Sequence, residues 1–277
     1  MIKQRLITGF LLAFLLVWSI FNLPNDYFAI LTALFVIQGS WEWTRLASVS
    51  AKWQRVLIVL LVSSIILMLW YSIESIPYLA DVIFSIAVAW WLLCGFWVFK
   101  NPQGITLSSQ FFLIKVLIGV VVLVPAWLAL VSLHAKTLNG PSYVLFILLL
   151  TAVADSGAYF SGKRWGSRKL APRISPGKTW EGVWGAVVLV AIYSIVGGTL
   201  LLGLEPYKLL LFIPLCLVIL SFSILGDLFE SMIKRQAGVK DSGQILPGHG
   251  GVLDRIDSIT AAAPVFVAGL SVLEMVK

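Results

Sequence analysis

Long apolar stretches follow one another along the whole chain, and they constrain its fold more than any other feature. Hydrophobic residues make up 60% of the 277 residues and charged residues only 12%, about half of the charged fraction of a typical soluble domain. In lipid the backbone polar groups must bond within their own segment, which a helix of roughly 20 residues achieves. The pattern predicts an all-α, polytopic integral membrane protein in which 1–277 forms a single transmembrane domain. About nine transmembrane helices are expected, at approximately 5–23, 26–44, 54–73, 82–99, 112–133, 142–161, 181–203, 208–229 and 256–275.

Basic residues indicate how these helices cross the membrane. Lys and Arg near helix ends are retained on the cytoplasmic side. If the N-terminus is cytoplasmic, sixteen basic residues fall inside and three fall outside, namely Lys136, Lys208 and Lys277. The distribution predicts a cytoplasmic N-terminus, a C-terminus outside, and two long cytoplasmic loops at 162–180 and 230–255.

Polar side chains are unevenly distributed along the chain. Region 1–135 has few of them and is interpreted as mainly scaffold helices, whereas 140–277 is predicted to hold the catalytic helices and cytoplasmic loops. The formal net charge of +7 can reflect topology and attraction to anionic lipid headgroups. That explanation does not account for the carboxylates placed among the basic residues. Cys94 and Cys216 lie in different apolar stretches and are interpreted as packing residues.

The eighth apolar stretch carries polar residues on one helical face. Asp227 is followed by Glu230, Ser231 and Lys234 at offsets of three, four and seven residues, which places them along one side of a helix. An ionisable residue inside a membrane costs roughly 2.5 to 3.5 kcal/mol on insertion scales and commonly marks a functional site. The alternative is purely structural: an ion pair within the helix between Lys234 and either Asp227 or Glu230.

A glycine-rich turn precedes the ninth apolar stretch. The sequence PGHGG at 247–251 leads to Asp254 and Asp257, three residues apart at the start of a helix. Glycine lets the backbone approach a ligand, helix amides favour anions, and carboxylate oxygens that face phosphate suit Mg²⁺. The arrangement favours a phosphate and metal site in which His249 donates to a phosphate oxygen. The alternatives are that Asp254 caps the helix and that His249 donates to the backbone.

Asp155 and Lys178 mark a second polar region. Asp155 lies near the cytoplasmic end of the sixth stretch and is either functional or a structural hydrogen-bonding residue. The sequence GKT at 177–179 is similar to the end of a Walker A loop, but Pro172 stands where that motif requires glycine. The P-loop interpretation therefore fails, while Lys178 can still bind phosphate as a point charge.

Several of these motifs resemble those of one enzyme family, the phosphatidate cytidylyltransferases or CDP-diacylglycerol synthases. The similarity lies in ADSGAYF at 154–160, SPGKTWEG at 175–182, LGDLFES at 225–231, the run from Ser231 to Asp257, and WEW at 41–43. The resemblance covers essentially the whole chain. It implies an enzyme of phospholipid biosynthesis that transfers CMP from CTP to phosphatidic acid, giving CDP-diacylglycerol and pyrophosphate. It also implies a Mg²⁺ requirement, a multi-pass location in the bacterial inner membrane with the active site facing the cytoplasm, and Asp227 and Asp254 as metal-holding carboxylates.

The chemistry of the implied reaction assigns roles to the other polar residues. Transfer between phosphates needs in-line placement and neutralisation of charge rather than a strong base. The predicted metal ligands are Asp227, Asp254 and Asp257, and a second cation beside Mg²⁺ is left open. The expected partners are phosphatidic acid, CTP and membrane lipids, without nucleic acid, and a homodimer is left open. The predicted catalytic residues are Asp227, Asp254, Lys234, Arg255 and His249, and the predicted substrate-binding residues are Ser231, Arg235, Lys240, Asp241, Gly250, Gly251, Lys178 and Asp155.

Three other functions are compatible with parts of the pattern. A CDP-alcohol phosphotransferase also uses aspartates in membrane helices, but this chain lacks that family's pattern of Asp-Gly, Ala-Arg and two later aspartates at fixed spacing. A transporter predicts polar residues near the bilayer midplane and often repeated halves, whereas these residues cluster at one face. A noncatalytic lipid-binding scaffold accounts for the basic loops but does not require paired aspartates.

Overall fold

The computed structural model describes residues 2–73, 75–76, 78–100, 112–136, 139–245, 248, 250–273 and 275. Nine α-helices and two short β-strands occur in this part of the chain. The helices are α1 (Ile2–Asn22), α2 (Asn25–Leu46), α3 (Lys52–Ser72), α4 (Leu79–Lys100), α5 (Phe112–Lys136), α6 (Gly140–Trp165), α7 (Trp180–Leu200), α8 (Pro206–Gln236) and α9 (Leu253–Val272), and the strands are β1 (Lys169–Ala171) and β2 (Ser175–Thr179).

Each helix overlaps one of the predicted apolar stretches. Within the described residues, seven helices, α3 to α9, are long and apolar enough to cross a membrane by length and composition. The apolar section found in α1 is shorter, Ala13–Asn22, and α2 carries Asp26, Glu42 and Arg45. The predicted helical membrane architecture is confirmed at this level. Nine crossings, and the sides on which the termini lie, stay predictions.

The region 162–180 contains an antiparallel hairpin, which the hydropathy pattern does not reveal. Strand β1 pairs with β2, with Lys169 opposite Thr179. Proline and glycine are depleted in strands, and β2 contains both, at Pro176 and Gly177. The predicted helical fold class is confirmed, and the predicted loop at 162–180 contains this short hairpin.

Hydrogen bonds fix the hairpin to the start of α7. Glu181 accepts from the Ser167 hydroxyl at 2.7 Å and from the amides of Ser167 and Arg168 at 3.1 and 3.2 Å. Thr179 caps α7 by accepting from the Gly182 amide at 3.2 Å, a common arrangement at helix starts. The hairpin is thus held against α7.

Small residues bring α6 and α7 together. A side chain at Gly157 would approach the Ala186 backbone to 3.0 Å, and one at Gly182 would approach the Ala158 carbonyl to 2.7 Å. Without a hydrophobic driving force between helices in lipid, such small residues allow close packing. The C-terminal end of α6 therefore lies beside α7 and strand β2 of the hairpin.

An aromatic core joins the helices that carry the predicted site. Phe146 of α6 packs against Phe212 of α8 and Phe266 of α9, with ring centroids 5.1 and 5.9 Å apart. All three rings are fully buried. The core fixes α6, α8 and α9 relative to one another, and these helices position Asp155, Asp227 and Asp254 respectively.

Candidate active site

The hairpin and α8 meet at an ion pair between Lys178 and Asp227. Lys178 Nζ lies 2.6 Å from Asp227 Oδ2, and the two side chains are 24% and 26% exposed. Ser231, one turn further along α8, donates its hydroxyl to Asp227 Oδ1 at 3.2 Å. The predicted face with Asp227 and Ser231 is present, and Lys178 reaches it from β2.

Lys234 connects α8 to α9. Its Nζ lies 2.8 Å from Asp254 Oδ1 and 3.4 Å from Glu230 Oε2, and all three side chains are nearly buried. Buried charges require such partners. The structural alternative for this helix face is thus partly correct: Lys234 pairs with Glu230 within α8, but it also reaches across to Asp254.

Asp254 organises the loop that precedes α9. Its carboxylate accepts from the Ser242 amide at 3.1 and 3.0 Å and from the Gly251 amide at 2.8 Å. Helix α9 begins at Leu253, and its N-cap position, Val252, makes no capping hydrogen bond. Asp254 therefore holds the loop instead of capping the helix. Because Lys234 also donates to Asp254, the two carboxylate oxygens have few free positions left for further hydrogen bonds.

Close contact between α8 and α9 brings Asp227 toward Asp257. A Cβ atom at Gly226 would lie 2.5 Å from the backbone oxygen of Asp257, so that only glycine fits at this crossing. Asp227 follows directly on α8, and its charge acts on the Asp257 carboxyl group. The three predicted metal ligands therefore lie at the same helix crossing or one turn from it.

Two cavities meet at Asp155. The smaller has a volume of about 390 Å³ and is lined by Asp155, Lys178 and Asp227 together with part of the hairpin. The larger has a volume of about 490 Å³ and is lined by Asp155, Arg255 and Asp257 at one end and mainly by apolar residues elsewhere. A smaller cavity that contains an ion pair and a larger, mainly apolar cavity thus share one acidic lining residue.

The carboxylates of this region outnumber the cations that pair with them. We define the carboxylate cluster as Asp155, Asp227, Glu230, Asp254 and Asp257. Three cations contact it or act on it electrostatically, namely Lys178, Lys234 and Arg255. If every carboxyl group is ionised, the formal excess is two negative charges, which a divalent cation would balance.

The donor set suits Mg²⁺ bound together with a phosphate ligand. Among the described residues, no group of three or more acidic, histidine or cysteine side chains is arranged to enclose a metal. Mg²⁺ commonly binds through only one or two carboxylates plus water and substrate phosphates. The carboxylate oxygens are of the type that Mg²⁺ prefers, and the Mg²⁺ requirement stays a prediction.

Other predicted residues lie at the end of α8 and in the loop beyond it. Arg235 donates to the carbonyl of Ile174 in the hairpin and to that of Val239, both at 3.4 Å. The arginine therefore ties the hairpin to α8. Lys240 and Asp241 are exposed, and their roles as substrate contacts stay predictions.

The glycines of the turn are surrounded by protein atoms. Gly250 has a φ of +86°, a conformation that favours glycine. A side chain at Gly251 would collide with Ser242 and Glu42. Packing thus explains both glycines, and their contact with substrate stays a prediction. His249 lies outside the described residues, so its role also stays a prediction.

Glu42 of α2 is a functional candidate that the hydropathy pattern does not single out. It is 2% exposed, and it accepts from the Ser242 hydroxyl and from the amides of Val252 and Leu253. The sequence places α2 in the scaffold region, yet it contributes to the loop beside Asp254. A carboxylate inside an apolar stretch is the signal that identifies such a residue.

This chain is similar to known proteins over nearly its whole length. The sequence profile described as the cytidylyltransferase family matches residues 3–273. A phosphatidate cytidylyltransferase of Pseudomonas aeruginosa is 42% identical over 269 residues, which cover 97% of this chain and 96% of the relative. Another phosphatidate cytidylyltransferase, from Haemophilus influenzae, is 37% identical over 283 residues, covering 96% of this chain and 97% of the relative. The chain therefore belongs to the cytidylyltransferase family.

Proposed function

We propose that this chain transfers the CMP group of CTP to phosphatidic acid, forming CDP-diacylglycerol and pyrophosphate. A phosphate oxygen of phosphatidic acid attacks the α-phosphorus of CTP, and the bond from that phosphorus to the departing pyrophosphate breaks. The attacking oxygen is already anionic, so no proton has to be removed. The observation that carries the proposal is a pair of cavities that share Asp155, one lined by the Lys178–Asp227 ion pair and the other mainly apolar, in a chain whose relatives include phosphatidate cytidylyltransferases.

The smaller cavity suits the phosphates of CTP. Lys178 lines it and pairs with Asp227 in the present arrangement. An ammonium group is a common phosphate ligand because it carries a compact charge with three donors. Lys178 can therefore neutralise Asp227 when the cavity holds water and bind a phosphate oxygen when it holds nucleotide.

The polar end of the larger cavity suits the headgroup of phosphatidic acid. Arg255 is exposed on α9 and lines this end together with Asp257. A guanidinium group binds phosphate through two parallel hydrogen bonds, which fixes the orientation of the attacking oxygen. Arg255 is thus assigned to the lipid phosphate and Lys178 to the nucleotide.

Asp227, Asp254 and Asp257 would hold Mg²⁺. The fit rests on their carboxylate oxygens, which are the donors that Mg²⁺ prefers. When bound, the ion would neutralise phosphate charge and stabilise the departing pyrophosphate. Because Lys234 occupies one oxygen of Asp254, its ammonium group must move before Asp254 can act as a ligand. Lys234 is then available to contact a phosphate.

The proposed site faces the cytoplasm of a bacterial inner membrane. The hairpin and the loop before α9 lie in the segments that the basic residues predict to be cytoplasmic. At this depth lipid headgroups and soluble nucleotides can both reach the carboxylate cluster. The bacterial source of the relatives supports the same location.

Metal removal is expected to stop turnover. Purified protein in detergent micelles should release pyrophosphate only when phosphatidic acid and CTP are both present, as measured with a coupled pyrophosphate assay. EDTA should abolish the release and excess Mg²⁺ should restore it. Full activity in EDTA would contradict the metal assignment alone, whereas release without phosphatidic acid would contradict the proposed acceptor.

A further inference from the structure

The larger cavity extends from the carboxylate cluster deep into the apolar interior. Residues of α1, α2, α5, α6 and α9 form its walls. Along α6 it reaches from Asp155 to Val144, a distance of about 16 Å at roughly 1.5 Å per residue. Thr32 of α2 lines the cavity as well, about seven residues from the start of that helix.

The depth of this cavity matches one leaflet of a bilayer. A hydrocarbon core is roughly 30 Å thick, so a single leaflet measures about 15 Å. One end of the cavity carries Arg255 and the acidic residues Asp155 and Asp257, whereas most of its length is apolar. A matching ligand has an anionic head and an apolar chain as long as one leaflet.

We infer that the larger cavity holds one acyl chain of phosphatidic acid and that its depth limits the chain length that is accepted. This inference rests on the proposed function, which supplies the lipid substrate. An acyl chain gains little free energy when it moves from the lipid bilayer into an equally apolar cavity. The cavity therefore acts by placing the phosphate at the carboxylate cluster and by excluding chains that exceed its depth.

Substitutions that shorten the cavity should change the chain-length preference. Thr32→Phe on α2, and the larger Thr32→Trp at the same position, each fill part of the deep region, because Thr32 lines the cavity and is only partly buried. The ratio of kcat/KM for dipalmitoyl over dioctanoyl phosphatidic acid should fall roughly tenfold, which corresponds to about 1.4 kcal/mol of steric cost. Turnover of the dioctanoyl substrate should stay near the wild-type value, measured as CDP-diacylglycerol formation in mixed micelles.

A control variant tests whether a bulkier side chain outside the cavity also changes the chain-length preference. Val188→Phe introduces a phenylalanine side chain on α7, where the side chain is 57% exposed, and should leave the ratio unchanged. If both cavity variants lower turnover of the two substrates equally, or if neither changes the ratio, the cavity does not hold the chain. Failure of the wild type with either substrate would instead contradict the proposed function.

A second observation, independent of the cavity, concerns the buried carboxylate of Glu42. It accepts from the amides of Val252 and Leu253 at 3.0 and 2.9 Å, from the Ser242 hydroxyl at 2.7 Å and from the Gln38 side chain at 3.2 Å. Buried carboxylates require such donors, and amides at a helix start favour a negative charge. Four donors from two parts of the chain thus converge on one side chain.

The loop before α9 closes around Glu42. A Cβ atom at Gly243 would lie 2.5 Å from Glu42 Oε1, and one at Gly251 would collide with Oε2. Ser242 is shared, because its hydroxyl donates to Glu42 while its amide donates to Asp254. The position of Asp254 is therefore linked to Glu42 through Ser242 and through the first residues of α9.

We infer that Glu42 is a positioning residue that fixes Asp254 for the reaction. Glu42→Gln keeps the size of the side chain, but its amide group would face backbone donors. Substitution of a residue that orients a metal-binding side chain typically lowers activity or metal affinity by roughly 10- to 100-fold. We expect kcat per folded molecule to fall about tenfold or more, with Glu42→Asp regaining part of the loss because it keeps the charge.

The measurement must separate positioning from stability. Turnover is measured on monodisperse protein well below the unfolding temperature, with the exposed Glu205→Gln as a control. Ser242→Ala should lower turnover less, and adding it to Glu42→Gln should cause little further loss because both act through the same contact. Wild-type kcat in folded Glu42→Gln, or losses that simply multiply in the double variant, would overturn the inference.

Discussion

Replacing Asp227 by asparagine should lower turnover by about 10³-fold, equivalent to about 4 kcal/mol, while the protein stays folded. Asparagine has nearly the same shape and can still accept from Ser231. It lacks the charge that pairs with Lys178 and that would bind Mg²⁺. The Lys178 and Asp227 side chains are about one quarter exposed, and partly exposed ion pairs contribute about 1 kcal/mol or less to stability.

Activity and unfolding are therefore expected to separate in this variant. Pyrophosphate release measures turnover, and thermal unfolding in detergent measures stability. Asp81→Asn is the matched control, because Asp81 is exposed in the first turn of α4 and should tolerate the change in both measurements. Near-normal turnover of Asp227→Asn would contradict the role given to this carboxylate.

Replacing Asp254 by asparagine should abolish turnover and also destabilise the fold. Asp254 is nearly buried, and it binds Lys234 together with the amides of Ser242 and Gly251. The asparagine NH₂ group would face these donors, and Lys234 would lose part of its compensation. Breaking a buried ion pair costs about 3–5 kcal/mol, so we expect a clear drop in the unfolding temperature as well as a loss of activity of about 10³-fold or more.

The contrast between the two aspartates tests the geometry of the site. Asp227→Asn should be inactive and stable, whereas Asp254→Asn should be inactive and less stable. Refolding or expression at lower temperature provides folded Asp254→Asn for the activity measurement. Equal stability of the two variants would contradict the network around Asp254, and full turnover of folded Asp254→Asn would contradict its place in the reaction.

The helices could be predicted from the sequence because lipid imposes one requirement on every crossing segment. Each apolar stretch must satisfy its own backbone hydrogen bonds, so length and hydropathy locate the helices without knowledge of their neighbours. The hairpin could not be located this way. Its second strand contains Pro176 and Gly177, and it is stabilised by contacts such as those of Glu181 with Ser167, which depend on the finished fold.

The motifs identified the candidate carboxylates and the pair of Lys234 with Glu230 within α8, but not the ion pairs between different elements. Spacing on α8 indicated that Asp227 and Lys234 share a face, yet Asp227 pairs with Lys178 and Lys234 with Asp254. These pairs depend on how the helices cross, which hydropathy does not encode. The same limit applies to Glu42, whose hydrogen bond with Ser242 joins residues 200 positions apart.

If this site transfers the CMP group of CTP to a lipid phosphate, label placed at the α- and γ-phosphates of CTP should end in different products. With phosphatidic acid and Mg²⁺ present, label at the α-phosphate should move into the organic phase as CDP-diacylglycerol. Label at the γ-phosphate should stay in water as pyrophosphate. Lipid-soluble label from the γ-phosphate, or α-label that stays in water throughout, would contradict CMP transfer to phosphatidic acid.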